Sequence, residues 1–138
     1  MNLPDAHVAI LQTFVHMKTL YGQPVFNEWV LVKLARESGA ILAYDGPRAD
    51  LYQKKFKSDI APLQAEMTTS KMAVGDFEFV QGAHGTHFDA CIRLGPASYL
   101  FCNHTTKSMQ DIRRDARWLE AQKPFVELSA KFRADPLV

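Results

Sequence analysis

The chain has 138 residues, of which 47% are hydrophobic and 22% charged, with seven glycines and seven prolines. A chain this long buries roughly two thirds of its surface in one core, so a single domain over residues 1–138 is expected, and a disordered, collagenous or disulfide-scaffold class is excluded. Sixteen Lys plus Arg against fifteen Asp plus Glu give a net charge of +1, which supplies no field for a phosphate backbone, so nucleic acid is not an expected partner.

The apolar stretches Trp29 to Val32 and Ala40 to Tyr44 fall far short of the roughly 20 residues of a spanning helix, so no membrane span is expected. The Met-Asn-Leu-Pro-Asp start carries no basic n-region or apolar h-region, so a cytoplasmic protein is expected. In that reducing compartment the two cysteines are read as free thiols.

The first predicted element is an amphipathic helix, in which Ile10, Phe14, Met17 and Tyr21 recur at helical spacing with Val8, Leu11 and Val15 beside them. Asp5 is its expected N-cap, Gly22 and Pro24 end it, and His7 and His16 fall off the tightest apolar arc, toward solvent. Asn27 as N-cap and a Phe26 to Leu31 staple predict a second helix over Glu28 to Ser38, closed by Gly39; the Val-Leu-Val run is the argument for a strand instead. Ala40 to Tyr44 and Leu51 to Phe56 read as a hairpin around Asp45-Gly46-Pro47. A helix capped by Ser58 or Asp59 follows, with Pro62 in its first turn and Ile60, Leu63 and Met67 as its stripe. Phe77 and Phe79 alternate with Asp76 and Glu78, the segment Phe88 to Leu94 alternates likewise, and Ser98 to His104 completes an antiparallel meander. Ser108 to Asp111 fits a capping box for a helix with Met109, Ile112, Ala116 and Leu119 on one face, and Pro124 is expected to end or kink it before a last helix carrying Phe125, Leu128 and Phe132.

That order, with the run Gly39-Ala-Ile-Leu-Ala-Tyr-Asp-Gly46, the paired Phe77 and Phe79, and Tyr99-Leu-Phe-Cys102 leading into a long helix, resembles the roadblock (dynein light chain related) family of the profilin-like group. The resemblance covers about residues 27–122. It implies an α+β fold: a five-stranded antiparallel sheet with helices on its faces, here with extra N- and C-terminal helices. It also implies a non-enzymatic, regulatory binding or adaptor module, a homodimer with a protein partner such as a small GTPase or other signalling protein. The dimer interface would be the central helix and neighbouring strand, which here means Ile60, Leu63, Met67, Phe77 and Phe79 and the strand edge to Gln81. If part of the central stripe is exposed, Leu63→Asp is expected to give a soluble monomer.

The residue types that carry chemistry concentrate in His84, His87, Cys91, Cys102 and His104, since imidazole and thiolate are preferred zinc ligands. Pairing Leu94 with Tyr99 would set Cys91 opposite Cys102 and Asp89 opposite His104, all on one face with His87, which is the geometry a zinc site or a thiol nucleophile with His104 and Asp89 needs. Against this, no CxxC, HxxxH or HExxH spacing is present, and mid-strand cysteines are ordinarily small buried hydrophobes, so neither a cofactor nor a catalytic residue is expected; a metal sensor or Cys/His enzyme on His87, Cys91, Cys102 and His104 is the alternative. A small-molecule sensor with a pocket between sheet and helices is a second alternative. Gly82-Ala-His-Gly85 reads as a turn. Arg113, Arg114 and Arg117 interleave with Asp111, Asp115 and Glu120 as a salt-paired face, Trp118 as packing, and Lys54, Lys55 and Lys57 as edge protection or an acidic partner's dock.

Overall fold

The computed structural model of the chain describes residues 1–34, 39–46, 61–68, 71–80, 88–105 and 108–137. The elements are α1 (Leu3–Tyr21), β1 (Phe26–Leu34), β2 (Gly39–Asp45), α2 (61–68), β3 (Phe77–Phe79), β4 (Ala90–Arg93), β5 (Ser98–Thr105), α3 (Met109–Arg114) and α4 (Trp118–Ala134). The strands form an antiparallel five-stranded sheet in the order β2-β1-β5-β4-β3. The fold is therefore α+β, as expected, with β1 and β5 at the centre.

The helix expected over Glu28 to Ser38 is instead strand β1 over its described part. The reason is position: β1 is hydrogen-bonded to β2 on one side and β5 on the other. Trp29 and Leu31 pack into the core on one face while Val30 and Val32 pack into the core on the other. A strand covered on both faces shows a continuous apolar run rather than alternation, and periodicity alone does not separate such a run from a helix. Helix α1 precedes the sheet in the chain, and α4 follows it. The expected strand over 51–56 lies outside the described residues.

Helices α1 and α4 cover the first face together. Asn2, not Asp5, caps α1: its side-chain oxygen accepts the Asp5 N–H at 2.8 Å, and Gly22 at φ 71° closes the helix in the left-handed region. Ala6, Ile10 and Met17 of α1 meet Trp29, Leu31, Ile92 and Leu100 of the sheet and Phe125, Leu128 and Phe132 of α4 in one cluster. On the opposite face Leu63 and Met67 of α2 lie with Val30, Val32, Cys91, Tyr99 and Phe101.

The helix expected to break at Pro124 breaks earlier. Ser108 caps α3 through the Asp111 N–H, and the chain then turns at Asp115, whose side chain accepts the Arg117 N–H at 2.9 Å and whose carbonyl accepts the Trp118 N–H at 3.0 Å. Helix α4 starts there and runs through Pro124, its seventh residue, which lacks the N–H that would bond back to the Glu120 carbonyl. The restart also changes the phase, so Leu119, placed on the buried stripe by sequence, stands 76% exposed.

Candidate functional site

The register between β4 and β5 decides the cysteine cluster. Arg93 pairs with Tyr99 and Ala90 with Cys102, so Cys91 lies opposite Phe101. The Leu94 N–H and the Ser98 carbonyl close the turn at 2.8 Å, one residue tighter than the pairing of Leu94 with Tyr99 that would align the thiols. A slip of one residue moves side chains to the other face. Cys102 accordingly packs under α1 and α4, whereas Cys91 packs under α2.

The two thiols thus do not share a site. His84 and His87 lie outside the described residues, and among the described residues no three His, Cys, Asp or Glu side chains converge in metal-binding geometry. The zinc set of His87, Cys91, Cys102 and His104 is corrected to this extent: its two cysteines stand on opposite faces of the sheet.

Neither cysteine is in a disulfide, and both are fully buried. Burial, then Cys102, Glu78 and Glu66, pushes the Cys91 thiol well above the ordinary range, and its Sγ lies 3.8 Å from the Met67 sulfur. Burial, then Asp89, does the same to Cys102. The thiolate is the reactive form, so these thiols are held inert. A thiol that resists ionisation only in the folded state contributes stability that is present below its unfolded pKa, about 8.5, and lost as pH rises toward its folded value. Unfolding free energy is therefore expected to decline on the alkaline side of that value. The decline should be shallower in a Cys91→Ala, Cys102→Ala double variant, as denaturant titrations across alkaline pH would measure.

Two arginines of the basic cluster, Arg113 and Arg117, are engaged within the fold, while Arg114 is exposed. Arg113 donates to the Phe79 carbonyl and stacks 5.9 Å from the Phe79 ring centroid. Arg117 makes a two-pronged pair with Asp115 at 3.0 and 2.6 Å and lies 4.7 Å over Tyr21. Trp118 packs edge-on against Phe79 at 4.9 Å. Lys54, Lys55 and Lys57 are outside the described residues.

Of the expected interface set, Ile60 is likewise outside. Leu63 and Met67 are buried against the sheet at 6% and 7% exposure. Phe77 and Phe79 are partly buried and turn toward Phe125 of α4. Their strand, β3, is the last in the sheet order, and the alternation of antiparallel bonding directs the Phe77 backbone groups outward, since Asp76 and Val80 bond to Arg93 and Asp89 of the β4 side.

The surface that sequence reasoning missed is the outer side of α1. Val8 is 54%, Leu11 37% and Val15 62% exposed, and with Gln12, His16 and Thr19 they line an open depression of about 490 Å³. Leu119 and Val126 of α4 are also exposed large apolar side chains. No family model, curated protein or solved structure matches the chain.

The signal for this surface was legible. Ala6, Ala9, Ile10, Thr13 and Met17 form the buried side of α1, and a helix rotates 100° per residue, which puts Val8, Leu11 and Val15 on the opposite side. Counting all apolar positions of α1 as one wide face hid the second row. His7 also departs from expectation: its ring packs edge-on to Trp29 at 5.5 Å, while His16 is exposed as expected.

Proposed function

We propose that the chain is a non-enzymatic, homodimeric binding or adaptor module, roadblock-like in type, that presents a helix surface to protein partners. The observation that carries this reading is the row of Val8, Leu11 and Val15 left outside a fold that buries apolar side chains on both faces of its sheet. Scattered apolar residues on a surface mean little, but a row along one helix is the usual mark of a protein contact. The five-stranded antiparallel sheet with helices on its faces is in keeping with the family resemblance, although the helix expected to lead it over Glu28 to Ser38 is strand β1 over its described part. The partner class suggested by that resemblance is a small GTPase or another signalling protein.

Two measurements on the full chain test the reading. Sedimentation equilibrium is expected to report a dimer. Elemental analysis of protein purified without added metal or chelator is expected to report no stoichiometric metal. A monomer at every concentration overturns the homodimer, and near-stoichiometric zinc overturns the metal-free module.

A further inference from the structure

We draw no further inference here: the strongest candidate, the exposed apolar row of Val8, Leu11 and Val15 on the outer side of α1, carries nothing beyond the reading above, because nothing in the structure shows what covers it.

Discussion

Replacing Phe125 with alanine is expected to lower the unfolding free energy by about 3–5 kcal/mol, the range for deleting a fully buried phenylalanine. Phe125 is completely inaccessible, and its ring centroid lies 5.3 Å from that of Phe79, 6.1 Å from those of Phe14 and Phe26 and 6.5 Å from that of Phe77. It thus joins α4 to α1 and to strands at opposite sides of the sheet. A cavity there cannot be filled by one neighbour, since the surrounding rings belong to three different elements, α1, β1 and β3, whose backbones would all have to move. Against a total stability of about 5–15 kcal/mol, the loss should bring the midpoint down by roughly 10–20 °C, measurable by circular dichroism. Leu119→Ala on the same helix is the control. At 76% exposure it should cost no more than about 0.5 kcal/mol. If the two variants behave alike, α4 is not docked in the register described.

That contrast also shows where sequence reasoning stopped. The edge of the sheet at β3, the capping serine of α3 and the glycine end of α1 were readable because each rests on a local signal: alternation, a side-chain cap, a residue suited to positive φ. Strand β1 was misread as a helix because its neighbours bury both of its faces, and alternation exists only where one face meets water. The phase of α4 was misread because Asp115 ends one helix and starts the next through hydrogen bonds that no periodicity announces. The cysteine cluster depended on one turn. Gly95 sits where a Cβ would collide with the backbone of Leu137, whose N–H reaches the Leu94 carbonyl at 2.9 Å. The β4 to β5 register is thereby tied to a segment some forty residues later in the chain, a contact outside the reach of any local rule.

Leu63→Asp is expected to unfold or aggregate the protein instead of releasing a folded monomer. The sequence-based expectation of a soluble monomer depended on part of the α2 stripe facing solvent, and Leu63 is 6% exposed, packed in the cluster of Val30, Val32 and Phe101. The substitution forfeits about 1.5–3 kcal/mol of side-chain burial and leaves a carboxyl group among apolar atoms at a further cost of about 1–3 kcal/mol. Such a site favours the neutral acid, so the folded-state pKa of the new carboxyl would lie above its unfolded value of about 3.9. The penalty is then smallest below that value and grows as pH rises through it, making the variant's deficit larger at neutral pH than at pH 4. Denaturant titrations of Leu63→Asp and of the near-isosteric Leu63→Met at both pH values would check the size and the sign. Leu63→Met should stay within about 1.5 kcal/mol of the parent. A folded, soluble Leu63→Asp monomer with little loss of stability would mean that α2 is held by a second copy more than by its own sheet. In that case the dimer contact belongs on α2, and the apolar row of α1 faces a different partner.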